Sequence, residues 1–381
     1  MVTNTLYVPH DLIIQILLRL PVKSLIRFKC VRKSWLTLIS NTHFANSHFE
    51  ITSAHSRRIL FISSPDFETR SMDLEASITD DSASTSPSLQ FLCPQYYFRL
   101  RIICSCRGFI FLHRSTMIYL WNPSTRVHKQ IPLSPIDSIY GVNYEYICYL
   151  YGFGYDQSRD DYLLVTMSCD RNLRYNLHGD YYSRLEFFSL RDNTWSEIEG
   201  THFPYMNAFD YPMVGSLFNG AIHGLAFHLD LSMIVIVAFD LTERNFLEIY
   251  LPDDLEIYLP DDPEYEPLEC NLWVFGECLS VWTMRDDIVE IWVMKEYNVH
   301  SSWTKTLVFS IDVIPTRCFS PACCTKSGDI IGRDLDNGLV KFDNKGQLLE
   351  HSSYFKGEHR ESRVAMYTES LFSLPGNSEQ G

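Results

Sequence analysis

Residues Val8–Leu25 read VPHDLIIQILLRLPVKSL, and the spacing of apolar side chains in this stretch predicts helical structure. Pro9 suits the first turn of a helix, where the missing N–H of proline costs no hydrogen bond. Pro21 ends this first helix, because the residue before a proline avoids the α region, and it can open a second helix. Five apolar side chains fall on one broad face at helical spacing: Leu12, Ile13, Ile16, Leu17 and Leu20.

Two further helices are predicted from the apolar residues that follow. They carry Val22, Leu25, Phe28, Val31, Trp35, Leu38 and Ile39. Three short helices within residues 1–45 form a unit near the lower size limit for independent folding, about 40 residues. The apolar stripes of this unit therefore need a second surface, which is either another protein or the remainder of this chain.

The run from Leu20 to Ser40, LPVKSLIRFKCVRKSWLTLIS, resembles the F-box of a large plant family. The F-box is the motif by which substrate receptors bind the Skp-type adaptor of a cullin–RING ubiquitin ligase. The resemblance implies that a set of residues divides between adaptor contact and internal packing. These residues are Pro9, Leu12, Ile13, Ile16, Leu17, Leu20, Pro21, Leu25 and Trp35.

Charge is distributed unevenly along this chain of 381 residues, whose formal charge is −15. Residues 1–45 contain six Lys and Arg residues against the single acid Asp11, a balance of +5 that leaves −20 for the remainder. An acidic main domain argues against nucleic acid as a partner, because phosphates select basic surfaces. The basic helices suit an acidic partner, and the resemblance implies that the adaptor is acidic; a solvated helix face is the alternative.

After Phe49 the pattern changes to short aromatic and β-branched runs separated by polar turns, which predicts an all-β domain. The runs are Arg58–Ile62, Phe109–Leu112, Met117–Trp121, Leu163–Met167, Leu185–Leu190, Ile234–Phe239, Ile288–Met294 and Leu339–Phe342. A unit recurs in which an apolar strand is followed by a polar turn and a further strand. Its anchors Leu190, Phe239, Met294 and Phe342 lie 49, 55 and 48 residues apart.

The middle interval contains a tandem duplication, LEIYLPDD, at Leu247–Asp254 and again at Leu255–Asp262. Without one eight-residue copy this interval is 47 residues long, so the three intervals agree on a period near 48. Such a period suits a four-stranded propeller blade, and a main domain of about 330 residues then holds about six blades. A last strand near Val364–Leu371 is expected to close the ring on the first blade. A β-sandwich with coincidental spacing is the alternative.

Three runs of the β region resemble the F-box-associated interaction domain of kelch-like type. They are Trp121–Pro132 (WNPSTRVHKQIP), Gly152–Val165 (GFGYDQSRDDYLLV) and Phe218–Phe227 (FNGAIHGLAF). Together with the helical stretch, they make nearly the whole chain similar to plant F-box proteins that carry such a domain. Gly224 stands where the family typically has Trp, and this loss on an inner strand is expected to leave a cavity or reshape a pocket.

The predicted organisation is mainly β, with a three-helix F-box at 1–45, a kelch-like β-propeller of about six blades at 46–374 and a disordered tail at 375–381. Eleven scattered cysteines without a C-x-x-C pair are expected to be reduced core residues. No signal peptide opens the chain, and no apolar run is long enough to cross a membrane. We therefore expect a protein of the cytoplasm or nucleus that has no membrane partner.

Signatures of catalysis are absent from the sequence, which has no G-x-S-x-G, no Walker loop and no H-E-x-x-H. We expect no metal, no cofactor and no intrinsic catalysis. The resemblance implies a substrate-recognition subunit of an SCF (Skp–cullin–F-box) ubiquitin ligase, whose propeller loops bind an unknown target protein. The candidate target-binding residues lie in three predicted loops and are Asn172, Tyr175, Tyr205, Tyr211, Asp253 and Asp261.

Two other classes of function are compatible with the sequence. A kelch-type interaction scaffold without a ligase role would pack its helices on its own propeller. A propeller enzyme or glycan-binding receptor would place carboxylates or stacked aromatic rings at the propeller mouth. The acidic segment around the duplication either attracts basic targets or is a tolerated surface insertion.

Overall fold

The computed structural model describes most of the chain and shows a small helical unit followed by six β-sheets. The described residues are 9–63, 69–80, 84–89, 91–92, 100–114, 117–134, 146–170, 183–198, 203–206, 213–255, 269–334, 338–353 and 362–374. The predicted tail at 375–381 lies outside them. The mainly β architecture predicted from the sequence is confirmed.

Four helices form the N-terminal unit, not the three predicted: α1 His10–Leu17, α2 Val22–Phe28, α3 Lys33–Ile39 and α4 Thr42–Thr52. Pro9 and Pro21 occupy the N-cap positions of α1 and α2 with φ of −55° and −58°. The side chain of Asn41 caps α4 by accepting hydrogen bonds from the backbone N–H groups of His43 and Phe44. This fourth helix runs through residue 45, where the sequence placed the domain boundary.

The six sheets are numbered here as blades 1 to 6 in chain order. Blade 1 begins with β1 Arg57–Ser63 and β2 Thr69–Asp73, and blade 2 contains β3 Arg101–Cys106, β4 Phe109–Arg114, β5 Met117–Trp121 and β6 His128–Ile131. Blade 3 contains β7 Tyr146–Asp156, β8 Asp161–Asp170, β9 Arg184–Ser189 and β10 Thr194–Glu197. The sheet of blade 3 also includes β12 Met213–Val214, which pairs with β7. Blade 4 contains β11 Tyr205–Met206, β13 Ser216–Phe218, β14 Ala221–His228, β15 Met233–Asp240 and β16 Phe246–Tyr250.

Blade 5 contains β17 Glu269–Phe275, β18 Cys278–Arg285, β19 Ile288–Met294 and β20 Trp303–Ser310. Blade 6 contains β21 Ser320–Cys324, β22 Ile330–Arg333, β23 Gly338–Phe342 and β24 Leu348–Ser353, and the final strand is β25 Ser362–Thr368. The eight predicted strand runs all lie within observed strands, apart from Leu190, which is one residue past the end of β9. The prediction of about six blades is confirmed.

The ring closes through its last strand, as predicted, although the strand covers Ser362–Thr368 and not Val364–Leu371. This strand, β25, pairs antiparallel with β1, with Leu60 opposite Ala365. It also lies beside β3 of blade 2 and β21 of blade 6 and is therefore the inner strand of blade 1. The two ends of the propeller sequence thus share one sheet, which satisfies edges that would otherwise be unpaired.

The antiparallel order of the strands defines two faces of the propeller. On one face lie the turns that join the first to the second strand and the third to the fourth strand of each blade. The start of β1 and the end of β25 are on the same face, which we call the helix face because α4 leads directly into β1. The connections between second and third strands and from one blade to the next lie on the other side, which we call the opposite face.

The recurring unit seen in the sequence is a strand followed by a turn. In this turn the side chain of an Asn or Asp accepts a hydrogen bond from a backbone N–H group further along the chain. Asn122, Asp240 and Asp343 accept hydrogen bonds from backbone N–H groups two residues on, at 2.9, 2.8 and 2.9 Å. Each turn connects the third strand of a blade to the fourth on the helix face. A short polar side chain that mimics a backbone turn explains why Asn or Asp recurs there.

Four glycines occupy corresponding positions in different blades. Gly108, Gly220, Gly276 and Gly328 precede the second strand of blades 2, 4, 5 and 6. They occupy the tight turn after the inner strand, with φ between 62° and 86°. Each marks the helix-face end of a blade.

No cavity was found beside Gly224, contrary to the expectation from the missing tryptophan. A Cβ atom added at Gly224 would come within 2.4 Å of Leu150 Cδ1 in the neighbouring blade. Leu150 is 3% exposed and belongs to the same apolar cluster as the flanking residue Leu225. The side chain of Leu150 therefore fills the space that a larger residue at 224 would need.

Eight of the cysteines are described as free thiols. Cys106, Cys270 and Cys323 are buried, and burial raises the pKa of each thiol. Cys30 is exposed, so the expectation that all cysteines are core residues is wrong for this position.

Candidate functional site

The helical unit separates the predicted adaptor-binding residues into three groups by exposure. Leu17 and Leu25 are buried, at 2% and 0% exposure, and belong to the core. Ile13, Leu20 and Trp35 are half-buried, and the Trp35 ring lies 5.3 Å from that of Phe28. The exposed group is Pro9, Leu12, Ile16 and Pro21.

One side of α1 is an exposed apolar surface. Leu12 and Ile16 are 54% and 57% exposed, and their four-residue spacing places them on the same side of the helix. Val31 and Leu36, which the sequence did not single out for this role, are 66% and 39% exposed in the connection to α3 and in α3 itself. Single apolar residues scattered over a surface are ordinary. Leu12 and Ile16, however, lie on adjacent turns of one short helix and so form a continuous apolar surface.

The opposite side of α1 is held by the core of the unit, which fixes the direction in which Leu12 and Ile16 point. Leu17 and Leu18 pack in a cluster that also contains residues of α2, α3 and α4. His48 of α4, 1% exposed, donates from Nε2 to the carbonyl oxygen of Leu20 at 2.8 Å and so ties α4 to the end of α1. Burial lowers the pKa of His48, which keeps the ring neutral. Sequence reasoning missed this residue, because histidine has no fixed place in an apolar pattern.

The helical unit also carries exposed basic side chains. Arg19, Lys23, Arg27, Arg32 and Lys33 are all exposed on the helical unit. The only acid among residues 9–45 is Asp11 in the first turn of α1. An exposed apolar surface on a unit with this excess of basic side chains favours a partner that has apolar pockets and an acidic surface.

Four of the six predicted target-binding residues, Asn172, Tyr175, Tyr211 and Asp261, lie outside the described residues. In the sequence, the first two lie between β8 and β9, Tyr211 between β11 and β12, and Asp261 between β16 and β17. The described ends of β8 and β16 and the described starts of β9 and β17 lie on the opposite face. Strand β11 instead runs from the opposite face towards the helix face, because it pairs antiparallel with the end of β14.

Tyr205 and Asp253 are the two described members of this set, and they differ in exposure. Tyr205 is 6% exposed in β11, and its hydroxyl donates a hydrogen bond to the Glu248 carboxylate. Burial raises its pKa, and in this structure its side chain is out of reach of a partner. The Asp253 side chain is 90% exposed and lies 3.4 Å from His300 Nε2. Asp253 is therefore an available surface residue, and Tyr205 is a packing residue.

The first copy of the duplication borders a cleft on the opposite face. The cleft has a volume of about 390 Å³ and lies between the end of this copy and blade 5. Its lining carries both charges, with Lys305 Nζ 2.9 Å from Glu290 Oε1. Trp303 Nε1 donates to the carbonyl oxygen of Tyr250 at 3.0 Å and anchors the first copy to blade 5.

Groups that could perform chemistry are engaged in structural contacts. His223 is fully buried and donates from Nδ1 to the carbonyl oxygen of Ser216 at 3.2 Å, while Nε2 is 2.8 Å from the Tyr297 hydroxyl. Burial lowers the pKa of His223 to about 4. Within the described residues, no group of three or more His, Cys, Asp or Glu side chains is arranged to hold a metal ion. No described helix is both long and apolar enough to cross a bilayer.

The geometry defines a two-part protein, with a helical unit that presents an apolar surface on one side of a six-bladed propeller. Comparison with known families agrees with both parts. Residues 6–46 match the F-box domain, and residues 60–366 match the F-box associated β-propeller domain. The chain therefore belongs to the F-box proteins that carry an F-box-associated β-propeller.

Relatives of similar length are found in Arabidopsis thaliana. The F-box/kelch-repeat protein At3g23880 is 28% identical over 322 residues, which cover 80% of this chain and 81% of the relative. The F-box protein CPR1 is also 28% identical, over 316 residues that cover 80% of this chain and 73% of the relative. The F-box protein At5g49610 is 26% identical over 368 residues, or 92% of each chain.

Proposed function

We propose that this protein is a substrate-recognition subunit of an SCF ubiquitin ligase, which binds a Skp-type adaptor through its helices and a target protein through its propeller. The observation that carries the proposal is the exposed apolar side of α1. Leu12 and Ile16 are more than half exposed, whereas Leu17 and Leu18, at the end of the same helix, are buried. A partner that covered them would remove this apolar surface from water.

Packing of the helices on the propeller does not account for these residues. The helical unit shares an apolar cluster with the propeller that includes Leu17 of α1, and the Phe49 ring of α4 lies 5.3 Å from that of Phe372. Leu12 and Ile16 on α1 are outside this cluster and remain exposed. This distribution favours adaptor binding over a scaffold whose helices serve only its own propeller.

Target binding is assigned to the opposite face of the propeller. The strand ends that flank two of the three predicted segments, at β8 and β9 and at β16 and β17, lie on that face. Connections that vary on a rigid scaffold are the usual place for recognition residues. Asp253 is the exposed residue of this set that the structure describes.

The mechanism is one of proximity. The ligase would hold a charged ubiquitin-conjugating enzyme near lysines of the bound target and so raise their effective concentration, while this chain forms no covalent bond. F-box proteins act as non-catalytic adaptors, and no part of the proposal requires a cofactor. The compartments expected for such a receptor are the cytoplasm and the nucleus.

The proposal is tested by co-elution with a Skp-type adaptor in size-exclusion chromatography. The variant is Leu12→Ser with Ile16→Ser, and the matched control is Leu349→Ser, which changes a 50% exposed leucine on the outer strand of blade 6. Burying the exposed half of two such side chains contributes about 2 kcal/mol, so the double variant should bind roughly thirtyfold more weakly. Equal co-elution of the parent, the double variant and the control would contradict the proposed contact, and no co-elution of the parent would contradict the function.

A further inference from the structure

The chain does not end at the strand that closes the propeller but continues across the helix face. After β25, the backbone N–H of Glu369 donates to the carbonyl oxygen of Ser56, between α4 and β1, at 2.9 Å. The fully buried Asn122 then donates from Nδ2 to the carbonyl oxygens of Ser370 and Phe372, at 3.3 and 3.2 Å. Leu371 and Leu374 are each 3% exposed. Four residues of this segment, Ser370, Leu371, Phe372 and Leu374, are therefore buried, whereas Ser373 is exposed.

Gly108 leaves the space through which this segment passes. A Cβ atom at Gly108 would lie 2.0 Å from Ser370 Oγ and 2.9 Å from the carbonyl oxygen of Thr368. The equivalent turn of blade 4 contains Gly220 at a similar φ, 74° against 86°, and a Cβ there would meet nothing within 4 Å. The close approach is thus specific to blade 2 and is not a general requirement of the turn.

Arg107, the neighbour of Gly108, joins the helices, the propeller and this segment. Its guanidinium carbon lies 4.1 Å from the ring centre of Tyr155 in blade 3, 4.5 Å from that of Phe372 and 5.2 Å from that of Phe49 in α4. Its Nη2 donates to Asn46 Oδ1 of α4 at 2.5 Å. A planar cation stacked against aromatic rings and bonded to an amide makes an oriented contact.

We propose that residues 369–374 and Arg107 form a clasp that holds the helical unit in one orientation on the propeller. The clasp lies on the helix face, and it therefore fixes the direction of the opposite face relative to the surface of α1. Arg107 and Phe372 are then positioning residues, which set the distance between a bound adaptor and a bound target. That consequence rests on the proposed function, whereas the fixed orientation does not.

The test measures the distance between the helices and the opposite face by pulsed electron paramagnetic resonance on the full chain. Spin labels are carried by unnatural residues at Ser40 and Asp312, which are both exposed. The parent chain should give one narrow distance distribution. Arg107→Asn and Phe372→Ala should each broaden or split this distribution. Asparagine is chosen at position 107 because it tolerates the left-handed φ of 48° found there.

Glycine variants and truncations provide matched pairs for the same measurement. Gly108→Ala and Gly220→Ala introduce the same backbone strain, but only Gly108→Ala should change the distribution, because only its Cβ displaces the clasp. Removal of 370–381 should change it, and removal of 375–381 should not. Arg107→Asn leaves β25 paired with β1, so its melting temperature shows separately whether the propeller remains folded.

A single narrow distribution in Arg107→Asn and Phe372→Ala, in chains that remain folded, would overturn the clasp. If the parent chain did not bind an adaptor, the proposed function would be contradicted, but the distance result would stand. The two inferences can therefore fail independently.

Discussion

The hydrogen-bonded pair of buried His223 and half-buried Tyr297 predicts how stability depends on pH. His223 is fully buried, and its pKa is lowered from 6.5 to about 4, mainly by burial. The neutral ring donates to the Ser216 carbonyl oxygen and accepts from the Tyr297 hydroxyl. A proton added at Nε2 would require the Tyr297 hydroxyl to turn away and would place a charge on a buried side chain.

The direction of the change in stability with pH follows from the protonation of His223 in the folded and unfolded states. Below pH 6.5 the unfolded chain binds a proton at His223 that the folded chain does not bind until about pH 4, so stability falls as the pH falls through this window. The two pKa values give a loss of about 2 kcal/mol between pH 7 and pH 5. The pKa of His48 is also lowered and adds a loss of the same sign.

The measurement is urea unfolding of the parent and of His223→Gln at several pH values between 5 and 7.5. The variant will be less stable at neutral pH, because glutamine fills the site less well, but its stability should fall by about 2 kcal/mol less than that of the parent on acidification. Parallel curves for the two proteins would refute the assignment, because they would show that His223 takes up its proton equally in both states.

Three further predictions concern packing and the duplication. Gly224→Ala should destabilise the protein by about 1–3 kcal/mol in urea unfolding, because its Cβ would lie 2.4 Å from Leu150 Cδ1. Leu150→Ala should relieve that strain in the double variant, and additive losses of stability would contradict the contact. Deletion of Leu255–Asp262 should leave the melting temperature within about 2 °C of the parent, because the first copy supplies β16, and a much larger drop would mean that the second copy is structural. Trp303→Phe removes the hydrogen bond to the Tyr250 carbonyl and should cost about 1 kcal/mol of unfolding free energy, whereas an unchanged stability would show that the first copy is not anchored there.

The architecture could be predicted from local patterns, because helices and blades each repeat a short-range signal. Helical spacing around Leu12 and Ile16 and a period near 48 residues lie within single windows of sequence. The fourth helix was missed because α4 buries only Phe44, Ala45 and His48, too few apolar residues to give a stripe, and its start depends on the side chain of Asn41.

The candidate site was predictable as a segment but not residue by residue. Leu12 and Leu17 look alike in sequence, yet one is 54% exposed and the other 2%, because the core that surrounds Leu17 comes from other helices and the propeller. Contacts between distant parts of the chain leave no local pattern. Arg107 and Phe372 meet only because the last strand closes the ring, and Leu150 fills the space beside Gly224 from another blade.

The central claim is that the helices bind an adaptor while the opposite face of the propeller stays free for a target. Hydrogen–deuterium exchange of the full chain with and without a Skp-type adaptor tests both parts in one measurement. The account predicts slower exchange in residues 9–40 and unchanged exchange in the second-to-third strand connections, such as that between β18 and β19. Protection on the opposite face, or no protection in the helices at saturating adaptor, would contradict it.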